Sequence, residues 1–121
     1  MSIDSFKQKY RDYTKDLLLQ IETKYKDHKD YEEFLKWDIS PAKEDLGNTY
    51  HLRRIGYHLC TEFKDNDMAE DIFDMAVIEA SFDENGDVND DMEDLIDVLN
   101  DMTFLDEDAA KEVARRFDLE I

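Results

Sequence analysis

Asp83, Asn85, Asp87 and Asn89 put oxygen ligands at positions 1, 3, 5 and 7 of a segment that continues with Asp91 at 9 and Asp94 at 12. That is the ligand order of a helix–loop–helix calcium site. Two positions depart from it. Val88 stands where the turn glycine belongs, and the shorter Asp94 stands where the bidentate glutamate belongs. Asn85-Gly86 also has the composition of a plain turn, since both residues tolerate a positive φ. Two expectations follow: weak divalent-ion binding through Asp83, Asn85, Asp87, Asn89 and Asp94, or a turn that leads into a helix.

Carboxylates continue on both sides of this loop. Asp67, Glu70, Asp71 and Asp74 stand at i, i+3, i+4 and i+7, and Asp90, Asp94, Asp97 and Asp101 at i, i+4, i+7 and i+11. On helices each set lines one face, with neighbours rising roughly 5–6 Å along the axis. Helical carboxylates at such spacings are commonly relieved by a Lys or Arg four residues away, and neither set has one. Each uncompensated i,i+4 repulsion costs about 0.2–0.5 kcal/mol.

Other reactive side chains form no working set. His51 and His58 are seven apart, whereas a helical zinc pair wants a spacing of four. Cys60 is two residues from His58, and residues two apart on a helix do not face each other. No glycine-rich phosphate loop and no Ser/His/Asp arrangement is present. The chain is expected to be non-enzymatic and to need no cofactor. Arg53-Arg54 and Arg115-Arg116 read as ion-pair donors to nearby acids.

The elements that position these residues read as helices. Gly is 3 and Pro is 1 in 121 residues, which leaves few breaks for a turn-rich β fold. Hydrophobic residues at 41% suffice for a core despite 40% charged residues. Ile3, Phe6, Tyr10, Tyr13, Leu17, Ile21 and Tyr25 recur at steps of three and four and predict a helix over about 4–26. Asp30-Tyr31-Glu32-Glu33 has the form of a capping box before a short helix over about 31–37. Ser40-Pro41 reads as a second start, and Gly47 as its end. Asn48 or Thr49 caps a helix over about 49–63, with Leu52, Ile55, Leu59 and Phe63 inward. Asp65-Asn66-Asp67 breaks it and caps the next, about 67–80, which buries Met68, Ile72, Met75 and Ala76. A fifth helix over about 90–102 buries Met92, Leu95, Ile96, Leu99 and Met102. Asp106 caps a last one, about 107–117, with Ala110, Val113, Ala114 and Phe117 inward. The expectation is an all-α fold: one compact domain, 1–121, of five to six helices.

Net charge is −18, and all of it comes from one block. Residues 65–108 carry 18 acidic side chains and no Lys or Arg, while the other 77 residues hold equal numbers of acids and bases. Such a block repels nucleic acid and anionic membrane, both polyanions, and attracts a basic protein. No apolar run reaches the length of a membrane span, and MSIDSFKQKY lacks an apolar signal core. With a single cysteine, a cytoplasmic location is expected.

In composition and helix pattern the chain resembles phage DNA mimics that block restriction enzymes. It equally resembles acidic immunity proteins that neutralise nuclease toxins, and many anti-CRISPR proteins. The resemblance carries no residue motif. It implies an inhibitor that covers the basic nucleic-acid-binding surface of a partner, such as a nuclease, through Asp67, Glu70, Asp71, Asp74, Asp90, Asp94, Asp97 and Asp101. Two other readings use the same residues differently: a calcium-responsive binding module built on the 83–94 loop, and a structural or adaptor protein whose acidity serves solubility.

Overall fold

The computed structural model describes residues 6–121, and over them the fold is all-α. The helices are α1 (Gln8–Tyr25), α2 (Tyr31–Phe34), α3 (Ser40–Glu44), α4 (Thr49–Thr61), α5 (Asn66–Ser81) and α6 (Glu93–Arg116), with a π-helical turn, Leu35–Ile39, joining α2 to α3. Ile3 and Asp4, expected at the start of the first helix, lie outside the described residues.

α4 is the central element. It packs against both α5 and α6, which pack against each other, while α1 lies on α5. The α4–α5 contact is close because Gly56 lets the fully buried Phe73 ring approach the α4 backbone. Burying a side chain of that size contributes about 2–3 kcal/mol. Leu52, Ile55, Leu59, Ile72, Ala76, Leu95 and Leu99 complete this centre, as the apolar spacing predicted, and Val98 and Ala69 join them. On α1 the inward row differs from expectation. Tyr13 is 46% exposed, and Thr14 and Leu18 are buried in its place.

The helix ends follow local chemistry. The Asn48 side chain accepts the Tyr50 N–H at 3.0 Å and the Asp65 side chain accepts the Met68 N–H at 3.2 Å, so both act as the expected N-caps. Asp30 does not: it makes no side-chain cap bond, and its own N–H donates to His28 Nδ1. The two short helices expected at 31–37 and after Ser40 are one continuous helical stretch. Its middle widens so that the Ser40 N–H donates to the Leu35 carbonyl, five residues back. Pro41, with no N–H and a ring that would strike the carbonyl four residues earlier, is tolerated in a helix only with such an adjustment.

The last two expected helices also run together. α6 begins at Glu93, three residues later than expected, and continues to Arg116. Asp106 interrupts it with φ −155° and ψ 95°, and its Oδ1 accepts the Ala109 N–H at 3.0 Å. Asp106 therefore caps the second half of the rod as predicted, without a loop between the halves. No helix among the described residues is long and apolar enough to cross a membrane.

Candidate functional site: two acidic grooves

The 82–89 segment is a tight turn. Phe82 and Val88 form an antiparallel bridge, and Gly86 takes φ +89°. Asp83 Oδ1 accepts two backbone N–H groups, from Asn85 at 2.9 Å and Asp87 at 3.0 Å. The Asn89 amide donates to the Ala80 carbonyl at 2.8 Å, closing the turn onto the end of α5. The Phe6 N–H donates to the Glu84 carbonyl and holds the turn from outside. Among the described residues no group of three or more His, Cys, Asp or Glu has metal-holding geometry. Asp83, Asp87 and Asp94 thus form no three-carboxylate cluster. Turn hydrogen bonds engage Asp83 Oδ1 and the Asn89 amide nitrogen, and Asp94 lies beyond, on α6.

The acidic block is less isolated than its sequence implies. Five of its carboxylates meet cations: Asp65 meets Lys24, Glu79 meets Arg11 and Lys7, Glu84 meets Arg11, Asp101 meets Arg53, and Glu107 meets Lys111 just beyond the block. Four of these acids thus draw on bases from α1 and α4. Asp65 also accepts the Tyr25 hydroxyl at 2.5 Å. Burial works against its charge, but the bonds from Lys24, Tyr25 and the Met68 N–H outweigh that and hold the carboxyl below the usual range.

Asp67, Glu70, Asp71 and Asp74 all lie on α5, as expected, and Asp94, Asp97 and Asp101 on α6. Asp90 does not join them: it is an exposed residue of the turn before α6, because the helix starts only after the Asp91 side chain accepts the Glu93 N–H. Among the described residues none of Asp67, Glu70, Asp71, Asp74, Asp90, Asp94 and Asp97 has an ion-pair partner, and Asp101 alone of the eight does, at 3.5 Å from Arg53. Asp74 shows the consequence. Partial burial, then the charges of Glu70 and Asp71, push its carboxyl above the ordinary value. Asp101 is also pushed up: burial and the charge of Asp97 outweigh the attraction of Arg53.

The two sets open onto different grooves that share no lining residue. Glu70 and Asp74 form one lip of a groove of about 410 Å³ whose other wall is α6 beyond Met102. Asp94 and Asp97 line a second, of about 360 Å³, against Tyr50 and Arg53 at the start of α4. The first has an apolar floor of Met102, Leu105, Ala109 and Val113. The second is polar, and its Tyr50 ring lies under the Arg53 guanidinium, 5.5 Å from the ring centre. Sequence reasoning missed both far walls. The 109-113 pair has the four-residue step of a helix face, and Leu105 joins it only across the Asp106 kink, which spacing alone does not show.

A third groove, of about 390 Å³, lies off both stripes, beside the π turn. The 62% exposed Trp37 stands there next to buried Asp38, which binds Arg54 at 2.9 Å and faces His58 at 3.6 Å. His58 also meets Glu62 at 2.9 Å, while Cys60 Sγ donates to the Tyr57 carbonyl at 3.3 Å and burial pushes its thiol up. Arg53 and Arg54 reach acids on other elements, whereas Arg115 and Arg116 pair with Glu112 on their own helix. No family model matches the chain, and neither a curated protein nor a solved structure does.

Proposed function

We propose that the protein is a non-enzymatic acidic inhibitor, which binds the basic nucleic-acid-binding surface of a partner protein and keeps nucleic acid off it. The observation that carries this reading is the set Asp67, Glu70, Asp71, Asp74, Asp94 and Asp97: six helical carboxylates outside ion pairs on the same two helices whose Glu79 and Asp101 do reach bases on other elements. Repulsion within the set costs stability in the free protein, and a partner's Lys and Arg side chains relieve it on binding. The same field speeds encounter with a basic surface and makes it sensitive to salt. Asp90 adds to the field from the turn. Asp101, already facing Arg53, contributes less.

The test is capture from a host extract on immobilised protein at low and high salt, followed by competition with duplex DNA. The reading expects basic nucleic-acid-binding proteins that release with salt and are displaced by DNA. It also expects Asp67, Asp71, Asp94 and Asp97 changed together to Lys to lose them while the circular dichroism stays helical. Capture that survives this charge reversal, or a captured partner that is not basic, would overturn it. An anti-defence mimic and a toxin-immunity protein differ in their genes' neighbours: phage genes for the first, a nuclease toxin gene for the second.

A further inference from the structure

We infer that the groove between α5 and the second half of α6 seats a cationic amphipathic helix of the partner, with apolar anchors on its floor and Lys or Arg side chains at its lips. The inference rests on the inhibitor reading and names the chemistry that one of its two grooves recognises. Met102, Leu105, Ala109 and Val113 form the floor; all but Met102 are half-buried, so the row presents apolar surface to the groove. Glu70 and Asp74 stand on the α5 lip, Asp106 and Glu112 on the α6 side.

Charge complementarity identifies the occupant. Four carboxylates line the groove; Glu112 meets Arg115 at 3.0 Å and Arg116 at 3.8 Å, which leaves Glu70, Asp74 and Asp106 outside ion pairs among the described residues. A second copy of this chain is a poor occupant because it brings another net charge of −18. A neutral apolar ligand would leave the lip repulsion around Asp74 in place, whereas a cation removes it. The shape favours a helix. Two packed helices leave a trough, and its lining runs on α6 from Met102, past the Asp106 kink, to Arg116. A helix of three to four turns lays an i, i+4, i+7 apolar row along such a trough and flanks it with its own charges.

The probe is a labelled synthetic peptide of about 18 residues, helical by composition, with leucines on one face and lysines beside them. Its first control has the same composition with the leucines scattered. Its second keeps the leucine face and replaces the lysines with glutamines. Binding is read by fluorescence anisotropy near physiological ionic strength, and the site by NMR shifts of the groove methyl groups. The amphipathic lysine peptide should bind about ten-fold more tightly than either control. It should shift Met102, Leu105, Ala109 and Val113. Glu70→Gln with Asp74→Asn, which keeps the fold by leaving exposed polar groups in place, should weaken it about ten-fold. Asp94→Asn with Asp97→Asn should weaken it less than about three-fold, through the general field alone.

Equal binding of the scattered peptide would reduce the groove to bulk electrostatics and overturn the inference. So would equal binding of the uncharged peptide, or shifts confined to the Asp94 groove. The inhibitor reading fails separately, through a captured partner that is not basic. A basic partner retained by the Glu70/Asp74 pair of changes would sink this inference alone.

Discussion

Arg11 on α1 and Glu79 near the end of α5 are joined by a two-pronged ion pair, Nε to Oε1 at 2.7 Å and Nη2 to Oε2 at 3.1 Å. Lys7 adds a contact to the same carboxylate at 3.3 Å and donates to the Glu79 carbonyl at 3.0 Å. Glu79 is 6% exposed. The Glu79 hydrogen bond is the largest influence on Arg11 and, against partial burial, it raises that guanidinium's pKa above its ordinary value. Removing the carboxylate leaves two cations without their main partner in a half-closed site. Glu79→Ala should therefore destabilise the protein by about 3 kcal/mol. Urea unfolding measures this, and a loss under about 1 kcal/mol would show that the pair is replaceable by water.

Asp65 joins two elements: it receives Lys24 and Tyr25 from α1 and caps α5. Asn in its place keeps an acceptor for the Met68 N–H and removes the charge together with the oxygen that receives Lys24 and Tyr25. Asp65→Asn should cost about 1.5 kcal/mol near neutral pH, mostly from the Tyr25 hydroxyl bond, since Lys24 is half in water. The sign of the pH dependence follows from the lowered carboxyl. Its stabilisation is complete above the ordinary value of 3.8 and disappears as pH falls through the lower folded value. The difference between wild type and variant should accordingly vanish in strong acid. A gap that persists there would assign the loss to altered packing.

Sequence reading recovered α4 and α5 nearly to the residue because two independent signals coincide there. Asn48 and Asp65 cap the ends that the 52-55-59 and 72-75-76 rows require. It failed where one signal misled. The Asp30 box is only a local pattern, and the π turn ahead of Pro41 is a backbone feature that hydrophobic spacing does not encode. The acidic stripes were visible as spacings on their helices. Which of their members are neutralised was not, because Arg11 and Glu79 are 68 residues apart and meet only in the packed fold. For the same reason one block of charge in sequence becomes two separate grooves in space.

Gly56 sits where α4 meets α5, and a Cβ there would fall 2.8 Å from the Phe73 ring. In an exposed helix the change to alanine stabilises by about 1 kcal/mol. Here the ring is fully buried and has no free direction in which to retreat. Overpacking of this kind costs about 1–3 kcal/mol, so Gly56→Ala should be net destabilising by about 1 kcal/mol. Calorimetry of the variant gives the sign directly, and a raised melting temperature would mean that α4 and α5 can separate slightly without loss.

Asp74 has the opposite expectation from most changes to a charged helix residue. Its carboxyl is raised by burial first and by Glu70 and Asp71 after that, and no cation among the described residues pairs with it. A raised acid works against the native state when ionised. That penalty is present at neutral pH and lifts as pH falls through the raised folded value, above 3.8. Asp74→Asn should therefore stabilise the free protein by about 0.5 kcal/mol near neutral pH, a figure drawn from helical like-charge pairs and kept small because water screens the site. The gain should shrink with added salt and on acidification. In the same variant, binding of a basic partner should weaken, since the repulsion that the partner relieves has already been removed. Stability and affinity moving in opposite directions would mark Asp74 as a residue whose charge serves binding. If both fell together, Asp74 would instead be a structural residue of the α5–α6 contact.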